Sequence, residues 1–135
     1  MTLVSEAMNR SVVTVTPDSP LTDAVAIVRR TGAEHVLVME DENLVGILCA
    51  CDLRGARPET AVCDRMTVPV LTVRPDAEVE EAAVTMSEAG VGCLPVALGG
   101  LILGTVSEAE IARAGVRGPR PRCQHMHRRS MRYRH

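Results

Sequence analysis

The sequence predicts an α/β (α+β) fold built twice: tandem β-α-β-β-α units related by a pseudo-two-fold axis, with their sheets packed together and their helices outside. Three observations predict it. The chain matches itself at an offset of 58 residues. Each copy sets short β-branched runs around one stretch of helical spacing. Apolar residues make up 46% of the chain although it has no Trp, no Phe and one Tyr, so the core is aliphatic. One copy alone is too small to bury both its sheet and its helices, whereas two copies can cover each other.

The offset places Met66 on Met8, Pro75-Asp76 on Pro17-Asp18, Ala82 on Ala24, Gly90 on Gly32, Val96 on Val38 and Gly104 on Gly46. Eleven identities fall between positions 4 and 53 without a gap. Met, Pro and Gly are among them, and composition alone rarely aligns those residues. The repeats divide the chain into residues 1–58, residues 59–116 and a remainder, 117–135.

Within each copy the elements follow from local chemistry. Val12–Thr16 and Val70–Arg74 are β-branched runs stopped by Pro-Asp, hence strands ending in turns. Ser19 reads as an N-cap with Pro20 at the first helical position. Leu21, Ala24, Val25 and Val28 then recur at helical spacing until Gly32. In the second copy Glu78, Glu80 and Glu81 put negative charge at a helix start, Val79, Ala82, Ala83 and Met86 form its apolar face, and Gly90 ends it. His35–Met39 and Leu44–Cys49 flank a turn at Glu40–Asn43; Leu94–Leu98 and Leu101–Val106 flank Gly99-Gly100, a tight hairpin signal. A second, shorter helix begins at Asp52–Ala56 and at Glu108–Ala114. The stretch Arg54–Thr60, with Gly55 and Pro58, joins the copies.

Charge is unevenly spread. All 15 basic residues are arginine; residues 1–116 carry all 17 acids and 8 of the arginines, a net of −9, and residues 117–135 carry the other 7 without an acid. That basic remainder, with Pro119 and Pro121 and no helical period, reads as a disordered tail. Its arginines could meet nucleic acid, but no aromatic pattern accompanies them and the body has no basic patch, so nucleic acid is a minor alternative. Met1–Met8 has neither a basic start nor an apolar core for a signal peptide, and no apolar run approaches the roughly 18 residues of a membrane span. A cytoplasmic protein is expected. The five cysteines are odd in number and read as reduced thiols. Cys49-Ala50-Cys51 lacks the second ligand pair of a zinc site, so no metal is assigned there. Cys123-Gln124-His125-Met126-His127 has soft ligands within five residues, but a disordered tail is the preferred reading.

The repeated unit resembles the CBS motif. The residues that carry the resemblance are, in the second copy, Met66, Leu71-Thr72-Val73, Pro75-Asp76, Ala82, Gly90, Leu94-Pro95-Val96 and Gly104 through Glu110. In the first they are Met8, Val13-Thr14-Val15, Pro17-Asp18, Ala24, Gly32 and Gly46 through Asp52. Two ordered copies in constant register, over about residues 4–114, resemble a CBS pair, or Bateman module. Such a resemblance implies a regulatory module that binds an adenosine-containing ligand (AMP, ADP, ATP, NAD or S-adenosylmethionine) in the cleft between its motifs and signals to a separate effector protein. It also implies a homodimer.

Carried onto this sequence, the resemblance implies binding residues Thr14, His35, Gly46, Cys49 and Asp52 in the first copy, and Thr72, Leu94, Pro95, Gly104, Ser107 and Glu110 in the second. The closing acid would take the ribose hydroxyls, the Thr/Ser hydroxyl and backbone N–H groups would face phosphate, and the Leu-Pro-Val strand would flank adenine. Copy one keeps the acid, Asp52, with Cys49 in the hydroxyl position; copy two keeps the hydroxyl, Ser107, with Glu110 for the acid. Each residue also has a plainer reading: Asp52, Glu110 and Ser107 as helix caps, His35 as a half-exposed strand residue. Two degenerate sites in a structural dimerisation or docking module are therefore the alternative. The sequence has no Ser–His–Asp order of note, no H-E-x-x-H, no P-loop and no G-x-G-x-x-G, so no catalytic residue is assigned and no cofactor is required.

Overall fold

Two glycines end the long helices where the sequence places them. The computed structural model describes residues 1–68 and 70–116. Helix α1 is one turn, Val4–Ala7; strand β1 is Thr14–Val15; α2 runs Leu21–Thr31 to Gly32. Strands β2, His35–Glu40, and β3, Asn43–Cys49, lead into a 3-10 turn, Ala50–Leu53. A second 3-10 turn, Val62–Asp64, opens the other repeat. Then come α3, Val79–Ala89, ending at Gly90, β4, Cys93–Leu98, β5, Leu101–Ser107, and α4, Glu108–Arg113. Gly32 and Gly90 have φ of 75° and 70°, left-handed values that glycine reaches without steric cost. The predicted tail, with Cys123 and its neighbours, lies outside the described residues.

The chain forms two compact units that do not follow the repeat boundary. Of the described residues, one unit joins Met1–Val12 to residues 71–116, and the other runs from Val13 to Val70. Each repeat thus gives its first ten or so residues to the other repeat's unit. In the Val13–Val70 unit, Val62 N–H donates to Ser19 O (2.9 Å), Leu21 N–H to Thr60 O (2.7 Å) and Thr67 N–H to Ile47 O (2.8 Å). In the other unit the matching bonds are Val4 N–H to Ala77 O (2.8 Å), Val79 N–H to Thr2 O (2.9 Å) and Asn9 N–H to Thr105 O (2.8 Å).

The sheet of the Val13–Val70 unit has the order β1-β2-β3. β1 is parallel to β2, β2 is antiparallel to β3, and Thr67 bridges to Ile47. Its core gathers Leu21, Ala24, Val36, Val38, Leu48, Val62 and Met66. In the other unit β4 and β5 pair antiparallel, with single bridges from Val73 to Val96 and from Asn9 to Thr105; Val4, Met8, Val79, Ala82, Met86, Leu94, Val106 and Ile111 fill its core. Each fully buried Leu, Val or Met contributes about 1.5–3 kcal/mol, so the exchanged segments that bring Val4, Met8, Val62 and Met66 supply a good part of each core.

Three local expectations are corrected. Ser19 does not cap α2: the N-cap is Pro20, Leu21 N–H is taken by Thr60 O, and Ser19 Oγ pairs with Thr16 Oγ1 at 2.6 Å. The first strand of copy two is not a strand but one bridge at Val73. In copy one Leu37 N–H donates to Val13 O at 3.0 Å; its counterpart is Pro95, which has no N–H to give Leu71 O. The helix expected from Asp52 is only the 3-10 turn Ala50–Leu53, because Gly55, at φ 66°, and Pro58 follow. In copy two the same positions read Glu-Ala-Glu-Ile-Ala-Arg, all good helix formers but one, and α4 forms.

Candidate functional site

Strand register decides which predicted residues share a face. Directly paired residues point the same way, and neighbours along a strand point oppositely. Thr14 pairs with Leu37, Leu37 with Ile47, and His35 with Cys49. Thr14, His35 and Cys49 therefore lie on one face of the β1-β2-β3 sheet. Val15 pairs with Val38 and Val38 with Gly46, so Gly46 belongs to the opposite, core face. The same division holds for the β4-β5 pair. Pro95 and Ser107 share a face with Cys93 and Thr105, while Leu94, at 0% exposure, and Gly104 face the core. Thr72 lies exposed just before the Val73 bridge.

Gly46 and Gly104 have an evident packing task. A Cβ on Gly46 would lie 2.5 Å from Met66 Sδ, and one on Gly104 would lie 2.5 Å from the backbone oxygen of Asn9. In both repeats the glycine lets the segment contributed by the other repeat cross the strand closely.

Asp52 and Glu110, the two closing acids, are buried at 2% and 7% exposure. Asp52 Oδ2 accepts the Cys49 N–H at 2.8 Å. Glu110 Oε1 accepts the Ser107 N–H at 2.7 Å and the Ser107 Oγ–H at 2.6 Å, while Oε2 takes Arg113 NH2 at 2.9 Å. Both acids thus reach back three residues to the first N–H of their turn, as a capping box does. Glu6 does the same for Leu3 N–H (2.8 Å), Asp64 for Ala61 N–H (3.0 Å) and Glu81 for Glu78 N–H (3.1 Å). Glu110 thus binds Ser107 and Arg113 at once.

Arg65 was not singled out from the sequence. Its NH1 donates to Asp52 O at 2.9 Å and Arg54 O at 3.0 Å, binding the far end of the turn that carries Asp52. The available signal was its counterpart Ala7 in the repeat alignment, since an arginine replacing alanine at an exchanged segment marks a difference between the copies.

Cys49 Sγ lies 3.3 Å from Cys51 Sγ, well beyond the length of a disulfide. Burial, with Asp64 and Asp18 nearby, pushes the Cys63 thiol up. Among the described residues no group of three or more His, Cys, Asp or Glu is placed to hold a metal ion. A hollow of about 470 Å³ opens on the helix side of the Val13–Val70 unit, lined by Thr22, Val25, Arg29 and Leu53 among others; it contains none of the predicted ligand residues. No helix among the described residues is long and apolar enough to cross a membrane.

The CBS domain family matches this chain twice, over residues 4–59 and 62–117. A protein of Methanocaldococcus jannaschii described only as uncharacterized is 28% identical over 122 residues, 88% of this chain and 46% of its own. A homoserine O-acetyltransferase of Methanosalsum zhilinae is 34% identical over 96 residues, 69% of this chain and 20% of its own. The chain therefore spans less than half the length of these two relatives. Among solved structures, the crystal structure of a CBS domain superposes with a TM-score of 0.78 at 26% identity, covering 85% of this chain and 98% of the other. The cytosolic domain of the Mg2+ channel MgtE, crystallised in complex with ATP, superposes at 0.69 with 26% identity, covering 79% of this chain and 46% of the other. The doubled motif, the two mixed α and β units and these matches lead to one conclusion: the chain belongs to the CBS domain family, as two CBS domains in tandem.

Proposed function

We propose that this pair is a cytoplasmic regulatory module that binds an adenosine-containing ligand through its first repeat and signals to an effector protein, without catalysis of its own. One observation carries the reading: Thr14, His35 and Cys49 share the sheet face opposite the core, and the strand that bears Cys49 runs directly into the turn bearing Asp52. A hydroxyl on β1, an imidazole on β2 and a carboxylate in the turn after β3 suit a nucleotide, whose ribose asks for a hydrogen-bond acceptor and whose phosphate asks for donors. Asp52 is the ribose acceptor of this reading. Because it is buried, a ribose reaches it only after a local adjustment of neighbouring side chains. The ATP bound by the related MgtE domain supports the ligand class. Whatever activity a longer protein adds, these residues act by binding.

The test is isothermal titration of the purified protein with AMP, ADP, ATP, NAD and S-adenosylmethionine, with Asp52→Ala and Glu110→Ala alongside. Saturable binding, lost in Asp52→Ala and kept in Glu110→Ala, is expected. Absence of binding across the panel, with a folded protein, refutes the reading. It would favour the structural one, a homodimerisation or docking module, for which the full engagement of Glu110 by Ser107 and Arg113 already speaks. Light scattering then separates a dimer, expected on either reading, from a monomer.

A further inference from the structure

We infer that Arg65 is a positioning residue for the Asp52 carboxylate, so that ribose selectivity in the first repeat depends on a side chain supplied by the second; this rests on the adenosine-ligand reading above. The turn Ala50–Leu53 is short, and no helix continues it to take up its last carbonyls. Arg65 takes two of them, Asp52 O and Arg54 O, with one guanidinium nitrogen. A charged donor to a backbone carbonyl is among the stronger hydrogen bonds available to such a turn.

Arg65 is itself firmly placed. It follows the 3-10 turn Val62–Asp64, whose Cys63 N–H donates to Pro17 O (3.0 Å) and whose Val62 N–H donates to Ser19 O (2.9 Å). Met66, the next residue, is core. The guanidinium therefore ties the Asp52 turn to the loop after β1. The turn is held at both ends: at its start the Asp52 carboxylate accepts the Cys49 N–H and Ala50 N–H donates to Glu34 O (2.9 Å), and at its end Arg65 binds the carbonyls. Copy two has no such tie, because Ala7 occupies the matching position and α4 takes up its own carbonyls.

The experiment compares ATP with 2′-deoxyATP on the parent, Arg65→Met and Arg65→Lys. Arg65→Met keeps the apolar stem and loses both hydrogen bonds. Loss of two such bonds translates to an ATP affinity weaker by about tenfold or more, and the preference for ATP over 2′-deoxyATP is expected to collapse as it does in Asp52→Ala. Arg65→Lys retains one donor contact and part of the preference. A merely structural role would weaken both nucleotides alike, leaving the preference intact, and that result overturns the inference. Parent protein that binds neither nucleotide, or binds both equally, overturns the ribose reading itself and the inference with it. Should Arg65→Met unfold, hydrogen exchange at the Cys49 amide in Arg65→Lys decides: faster exchange with an unchanged melting temperature supports the tie, and unchanged exchange removes it.

Discussion

The turn after β3 and the helix after β5 start from one pattern and are held in different ways. In both, an acid three residues beyond the strand end closes back on the first N–H: Asp52 on Cys49, Glu110 on Ser107. Beyond that the copies part. Glu110 is fastened within its own helix by Ser107 and Arg113, and α4 satisfies its own carbonyls. The Asp52 turn, cut short before Gly55 and Pro58, has its far end fastened by Arg65, thirteen residues on. Duplication thus preserves a bond made within four residues, while the residues downstream decide whether closure is local or borrowed. The local version is self-sufficient and inert; the borrowed one connects the turn to another segment.

The largest effect that would sharpen this comparison comes from the two glycines. Gly104→Ala drives a methyl against the Asn9 carbonyl, which is fixed by reciprocal bonds with Thr105, whereas Gly46→Ala meets a side chain, Met66 from Sδ to Cβ, which can rotate where a backbone carbonyl cannot. Overpacking costs typically 1–3 kcal/mol. Urea denaturation should place Gly104→Ala near about 3 kcal/mol and Gly46→Ala nearer about 1 kcal/mol; equal costs would mean that both crossings yield equally. Next comes Glu110→Ala, which strands a buried N–H and hydroxyl of Ser107 and should cost about 2 kcal/mol, read by thermal melting at neutral pH. If it proves neutral, the α4 closure is not what holds that end. The smallest is a gain. The hairpin of copy one turns on Asp41 and Glu42 at φ 52° and 71°, where copy two has Gly99 and Gly100. Glu42→Gly should therefore stabilise by about 0.5–1 kcal/mol, while no such gain remains to be made in the second hairpin.

Much of this architecture was legible beforehand because it is local. Gly32 and Gly90 end their helices, Gly99-Gly100 makes its hairpin, and Val79, Ala82, Ala83 and Met86 form a buried face, all within the reach of a few residues. What escaped depends on partners distant in sequence. Ser19 loses its capping task to a carbonyl from Thr60, forty-odd residues away, and the missing strand at Val73 follows from a proline on the strand beside it. The setting of each candidate site residue depends on equally distant partners. The family resemblance singles out Gly46, Gly104 and Leu94, but only register shows that they face the core. Asp52 and Glu110 look equivalent until Arg65 and Arg113 are placed beside them.

The exchange of opening segments also bears on the order in which this chain is made. Residues 1–12 emerge ahead of residues 13–116, yet their backbone partners outside the segment, from Pro75 to Thr105, lie in the second half. During synthesis Val4 and Met8 must stay in solvent while the Val13–Val70 unit, whose contributing residues are contiguous, closes behind them. Only when β5 is complete can the earliest residues settle, across a span whose closure entropy grows slowly with length. The opening segment of the pair is thus the last part of it to be buried, and a ribosome stalled between the repeats would leave one unit assembled and the leading segment of the other with nowhere to go.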